Sequence, residues 1–467
     1  MDHLRENLTF LDRQRLIQPS LNTQVGFDFQ GLRQSYKEDP RHPESPFVSR
    51  FGRIWIYDAA LNIYADLKAG RLRQAGYQVG RVIQLALQEE AHGYEGLWHF
   101  SYNTRDDSFI DPRGPTGSNA WCLSAVYSYI LATGETSGLR WANGAVQRYL
   151  FKQQVMDRSD PRHGLVHAGL YNAEDLARGD GMGYRVYEGD LNHPYAHVIL
   201  EHNIDVAGTY RLAFRAVKRY APEETAFMKE LMERHDLLMQ AILRRFWQGD
   251  HFVSALDGEG RFCLGTDGRP SVAVDNNTWA AHIFLPYDPE RALASLRYVM
   301  DRFLIRTPMA QIQDLPDGAD PEVEDLEGVY YFPATFVDPF VQVPEEHRPK
   351  MERLFQLEAA FGLVLFLKEL SGFVAHPMER IRHEARAEEL YRQTVRIQRL
   401  YGPSAAPYAT ANVPAFFSTM NSVTTAATAV VTAMVLNGKP NGDFIGVTPP
   451  AEFTVEGKRP RTERCQD

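Results

Sequence analysis

At 467 residues the chain is long enough for three average domains, yet no stretch has the composition of a linker. Its 44% hydrophobic and 24% charged residues are ordinary for a protein with a full core, which excludes extensive disorder. A formal charge of -10 leaves no basic excess to grip phosphates, so nucleic acid is excluded as a favoured partner.

Residues 1–12 carry Asp2, Glu6 and Asp12 where an export signal needs an unbroken apolar run, so a cytoplasmic location is expected. Cys122, Cys263 and Cys465 are odd in number and lack metal-ligand spacing, which fits a reducing compartment. Residues 1–45 read as an N-terminal arm. From residue 54 onward, amphipathic stretches of helical length alternate with polar breaks rich in Gly and Pro, and they come in pairs. The predicted helices are 54–68, 70–90, 118–134, 136–155, 201–220, 223–247, 274–284, 289–304, 346–370, 383–401 and 418–437, with a short piece near 330–340. One small β-hairpin is predicted, 251–257 against 260–265 around an Asp-Gly-Glu-Gly turn.

The fold expected is all-α: about six helical hairpins, some twelve helices, closed into one ring over 46–440, with 441–467 as a C-terminal tail. No fixed short repeat favours an open solenoid, and closure buries both apolar faces of the inner helices. The alanine- and threonine-rich run 423–436 is shorter than the roughly 20 residues a bilayer span takes, so it reads as a buried helix and no membrane insertion is expected. The long connections 91–116 and 156–199 are expected to cover a ligand.

Four segments combine polar residues with aromatics at the start of an apolar helix. In the first, Trp55 and Tyr57 precede Asp58, whose carboxylate is costly in an apolar setting unless paired or hydrogen-bonded. It is either a cap or partner of Arg53, or a catalytic base. In the second, Ser118 or Asn119 caps a helix or, with Trp98, Tyr102 and Trp121, contacts a pyranose, which takes stacking on one face and directional hydrogen bonds at its hydroxyls. The third, Glu201-His202-Asn203-Ile204-Asp205, places two carboxylates four apart on one helical face, a spacing that costs stability and is tolerated most readily where function needs it. The fourth holds Asp275 and Trp279. Further on, Glu327 and Tyr331 lie in an acidic, aromatic loop that also includes Asp325. Glu358 stands among apolar residues, and burial raises the pKa of a carboxyl, as a general acid requires.

No Gly-rich phosphate loop, nucleophile elbow or paired-Cys motif is present, so no cofactor is expected. His193 and His197 stand at helical metal spacing, but Pro194 argues against a regular helix there; no metal site is predicted.

Tyr57-Asp58-Ala59-Ala60-Leu61, Thr116-Gly117-Ser118-Asn119-Ala120-Trp121 and Glu201-His202-Asn203-Ile204-Asp205 together resemble the motifs of bacterial six-hairpin glycosidase-like proteins. The patterns there run roughly Tyr-Asp-Asn-Ala-Leu, Thr-Gly-x-Asn-Ala-Trp and Thr-Glu-His-Asn-Ile-Asp. The likeness extends from about residue 50 to 437 and implies an (α/α)6 toroid acting on glycans. Leu200 and Ala59 depart from that pattern, and Glu358-Ala359-Ala360 stands where Glu-Gly-Thr-Ala is expected.

The leading expectation is glycoside hydrolysis of an oligo- or polysaccharide, with Glu201 as general acid and Asp58, Asp205 or Asp275 as its partner. A second is epimerisation or isomerisation of a sugar by neutral histidines, His99, His202 and His282. A third is a non-catalytic glycan-binding protein of polysaccharide biosynthesis.

Overall fold

A computed structural model describes residues 2–17, 30–33, 53–91, 93, 95–103, 109–111, 113–171, 193–308, 314–315, 326–337, 343, 345–402, 405–413, 417, 419–439, 444 and 446–461. Asp325, Cys465 and much of the arm and of the connection 156–199 lie outside them. Twelve helices build the ring: α1 Asp2–Arg13, α2 Ile56–Lys68, α3 Leu72–Ala91, α4 Thr116–Thr133, α5 Leu139–Ala145 with a π-helical turn and a last α-turn to Gln153, α6 Leu200–Tyr220, α7 Thr225–Phe246, α8 Val274–Phe284, α9 Pro289–Arg302, α10 Leu357–Ser371, α11 Pro377–Leu400 and α12 Val423–Leu436.

The even-numbered helices form a closed inner circle, since α2 packs on α4, α4 on α6, α6 on α8, α8 on α10, α10 on α12, and α12 returns to α2. Their sequences explain the placement. α4 and α12 are apolar or small on every face, as a helix buried all round must be, whereas α11 carries eleven Arg, Glu and His side chains over a narrow apolar stripe and lies outside. Each odd helix from α3 to α11 packs on the inner helix before it as the outer arm of a hairpin. The fold is therefore the (α/α)6 toroid expected.

The twelfth helix is not where the sequence suggested. Residues 326–329 form a strand and 330–337 turns, and α1, assigned above to the arm, packs against α12 in the outer place of the sixth hairpin. A buried hydrogen-bonded cluster fixes it there: His3 pairs with Tyr391 (2.8 Å) and Gln398 (2.7 Å), and Asn7 with Gln398 (2.9 Å). The predicted hairpin is also slighter than expected. Leu256 and Phe262 form a bridge, but the strand Ala255–Leu256 pairs with Val198–Ile199, just ahead of α6.

Among the described residues no helix is long and apolar enough to cross a membrane. The segment 444–461, expected as a tail, is packed into the base of the ring: Phe444, Val447, Phe453 and Val455 are buried. Phe444 lies edge-on to Tyr64 (5.0 Å between centroids) and against Trp121 (5.6 Å) and Trp279 (5.8 Å), under the ring's centre.

Candidate active site

The inner helices are parallel, and one cavity of about 330 Å³ opens where they start. Every one contributes a first-turn or second-turn residue: Asp58 from α2, Gly117, Ser118 and Trp121 from α4, Glu201, His202 and Asp205 from α6, Asp275 and Trp279 from α8, Glu358 from α10, and Thr424 from α12. All five predicted acids thus share one hollow, at the end where helix dipoles favour negative charge.

A repeated local construction holds these helix starts. The first helical N–H is one of four with no partner inside its helix, and here it is taken by the segment that leads to the next hairpin. Ile56, Thr116, Leu200, Val274 and Leu357 donate to the carbonyls of Phe100 (3.1 Å), Ala168 (2.9 Å), Ser254 (2.9 Å), Tyr331 (3.1 Å) and Tyr408 (3.2 Å). Those segments thereby form a rim, and Phe100, Tyr331 and Tyr408 hang from it into the cavity. In α4, α6 and α8 the fourth helical residue is an asparagine that clamps the rim. Asn203 accepts from Val166 N (2.8 Å) and donates to Ile199 O (2.7 Å). Asn119 does the same with Trp98 N (2.7 Å) and Pro115 O (2.9 Å), and Asn277 with Phe252 N (2.8 Å) and Ala273 O (3.1 Å). Residues two before and two after each clamp then share the cavity face: Gly117 and Trp121, Glu201 and Asp205, Asp275 and Trp279.

Of the residues singled out in the sequence, Trp55, Tyr57, Asp58, Ser118, Trp121, Glu201, His202, Asp205, Asp275, Trp279, Tyr331 and Glu358 line the cavity. The others are placed elsewhere. Asn119 and Asn203 are the clamps just described. Trp98 is buried and donates through Nε1 to Val82 O (2.6 Å), and Tyr102 accepts through its hydroxyl from His99 N (2.8 Å). Glu327 makes a two-bond pair with Arg386 at 2.7 and 2.8 Å. Phe100, Phe332, Tyr408, Phe417 and Thr424 line the cavity without having been singled out.

The acids fall into two groups. Glu201, Asp205 and Asp275 come from adjacent helices; Asp58 and Glu358 come from the two helices flanking α12. Asp275 accepts from the Tyr331 hydroxyl and from Asn276 N (2.7 Å). Across the cavity, Tyr57 donates to Glu358, and the Thr424 hydroxyl to Asp58. Burial, then the neighbouring Asp275, Asp205 and Glu358, hold Glu201 well above the usual carboxylate range. Burial, then Asp275, does the same to Asp205, and burial raises Asp275 against the opposing hydrogen bond from Tyr331. Glu358 is pushed up to about 8, chiefly by burial, with Tyr57 opposing and Asp58 adding to it. At about 8 Glu358 holds its proton at neutral pH, and the shift of the other three in the same direction favours the protonated form that donation to a leaving group requires.

The histidines are differently placed. His202 lines the cavity, and burial pulls it down to about 4. His99 pairs with buried Glu89 (2.9 Å), and His282 is fully buried beneath Trp279, its ring stacked at 6.0 Å. His193 and Pro194 form a short strand, so His193 and His197 do not share a helical face. Among the described residues no three His, Cys, Asp or Glu side chains are grouped as a metal site would need.

No protein-family model and no curated protein matches the chain. In fold it is similar to a D-mannose isomerase (TM-score 0.59, 12% identity, 94% of this chain and 97% of that one) and to cellobiose 2-epimerase from Bacillus thermoamylovorans B4167 (TM-score 0.56, 7% identity, 92% and 98%). It is also similar to an unsaturated glucuronyl hydrolase variant described with dGlcA-Glc-Rha-Glc (TM-score 0.51, 13% identity, 94% and 95%). At such identities the likeness shows the toroid; hydrolases and sugar epimerases or isomerases share it.

Proposed function

We propose that this protein is a glycoside hydrolase working through a carboxyl pair in the central cavity. One observation carries the reading: five acids from four inner helices meet in two groups around an aromatic-walled hollow, the arrangement needed to flank a glycosidic bond. Glu201 is the general acid. It is deep enough to hold its proton, keeps part of its side chain open to the cavity, and has Asp275 beside it to re-protonate it. The partner carboxylate comes from the facing group, where the Thr424 hydroxyl orients Asp58. Trp55, Trp121, Trp279 and Tyr408 supply faces for the C–H side of a pyranose.

Two of the neighbours in fold are named as an isomerase and an epimerase. A shuttle through paired histidines has little support in this cavity, because His202 alone among the three candidates lines it and stays neutral. Hydrolysis is tested by release of reducing ends from a panel of oligosaccharides of differing linkage. Glu201→Gln lowers the rate on a cleaved substrate by about 10²–10⁴, the usual worth of general acid catalysis. Full activity in that variant, or wild-type protein that rearranges sugars without cleaving any linkage, overturns the reading.

A further inference from the structure

Resting on the reading of the cavity as a saccharide site, we infer that the sugar unit bound over Asp205 carries a free amino group, so that the substrate is a basic, amino-sugar glycan. Among the described residues lining the cavity there is no lysine or arginine, and Glu201, Asp205, Asp275 and Glu358 make no ion pair. Three of these acids stand within interaction range of one another on α6 and α8. Such a group gains most from a ligand that brings its own positive charge.

Asp205 marks the place. It is 5% exposed and lines the cavity; the Trp121 indole N–H lies beside its carboxylate and favours the charged form, yet neither that N–H nor Asp205 Oδ2 completes a well-formed hydrogen bond, which is costly for a buried acceptor. The space beside it is kept open by Gly117, where an added Cβ would lie 2.9 Å from Asp205 Oδ2 and 2.5 Å from the His202 ring. Trp121 and Trp279, 6.3 Å apart and nearly perpendicular, wall the same region. A sugar ammonium there would donate to Asp205 Oδ2, an interaction that an acetamide or hydroxyl makes more weakly and that a uronate carboxylate cannot make. No covalent step is involved: a proton already on the acid cluster leaves to solvent as the ammonium binds.

The experiment compares sugars matched in stereochemistry by ligand-observed NMR and calorimetry at pH 7: glucosamine, galactosamine and mannosamine against their N-acetyl forms, their neutral parents and glucuronate. The amine of at least one series binds about tenfold tighter than its N-acetyl and neutral partners, glucuronate binds least, and protons are released on binding. Asp205→Asn brings the amine-to-neutral ratio toward one. Equal or tighter binding of the neutral, acetylated or acidic sugars by the wild type overturns the inference alone, leaving the saccharide site standing. A panel in which no sugar binds removes both.

Discussion

The two ends of the ring bury charge in opposite ways. At the helix starts, five acids share one hollow with hydroxyls and a backbone amide for company. At the far end, Arg211 of α6 is fully buried, and each of its three guanidinium nitrogens donates a hydrogen bond. Its guanidinium donates to the carbonyls of Ile283 (3.1 Å), Gly446 (3.2 Å) and Val447 (3.4 Å) and to His235 Nε2 (3.0 Å). Burial pulls His235 down to about 4, so it is neutral, accepts on Nε2 and turns Nδ1–H toward Asp236 (3.1 Å). Each end has the sign that the helix dipoles prefer, acids at N-termini and a cation at the last-turn carbonyl of α8. Only one end is satisfied, and the unsatisfied one opens to solvent through a cavity. Stability and chemistry are thus separated along one axis.

Replacing Arg211 breaks this contrast most severely. In Arg211→Met three carbonyls and an imidazole lose their donor together, and the C-terminal segment loses its anchor below Phe444. The expected cost is about 3 kcal/mol or more by chemical denaturation, from unmatched buried acceptors. A cost under about 1 kcal/mol would mean that packing alone holds the segment and that the two ends are not opposites in the sense argued.

A second test sharpens the comparison through pH. A carboxyl whose folded pKa is raised binds protons more tightly in the folded chain, so its contribution is complete below the unfolded value and is lost as pH rises through the folded one. For Glu358 that window runs from 4.5 to about 8, and Glu201, Asp205 and Asp275 act in the same direction. His202 and His235, held low, act oppositely: their contribution is present above 6.5 and lost as pH falls through about 4. Stability should therefore decline from pH 6.5 to 8, where only the acids slope, by about 1 kcal/mol per pH unit for each acid that titrates there. Glu358→Gln flattens that decline in a series of denaturation curves. An unchanged slope in the variant would show that Glu358 is not among the groups responsible.

Much of the architecture was legible because inner and outer helices differ in pattern, apolar all round against a single stripe, and because the breaks between them are rich in Gly and Pro. The twelfth helix was not. α1 contains few large apolar residues and is joined to its partner α12 only through closure of the whole ring, so nothing local announces it. The acids were legible for a related reason: Asp58, Glu201, Asp275 and Glu358 interrupt apolar helix starts, an anomaly visible in one dimension. Tyr408, Phe417 and Thr424 lie in segments without such an anomaly, and Tyr408 is held at the cavity by a rim hydrogen bond from Leu357 that no local spacing encodes. The roles of the asparagines were ambiguous because a clamp and a sugar ligand call for the same amide. Aligning Thr116–Trp121 with 200–205 and 274–279 would have offered a clue, since asparagine recurs at the fourth place while the second and sixth places vary.

That ambiguity yields the smallest effect expected. As a clamp, Asn203 matches the N–H of Val166 and the carbonyl of Ile199, both buried or partly so, and holds the rim against α6. Asn203→Ala leaves those groups without a partner and costs about 1–3 kcal/mol, the penalty for unmatched buried polar atoms. Asn277→Ala should cost a similar amount, since it clamps Phe252 in the same way. A sugar ligand would behave otherwise: its loss would weaken binding while leaving the denaturation midpoint within about 0.5 kcal/mol of wild type, as substitutions outside structural features do. Measured together, the midpoint and the affinity for a bound saccharide distinguish the two roles at each asparagine. The recurrence of the clamp in three helices requires that both variants fail in the first way.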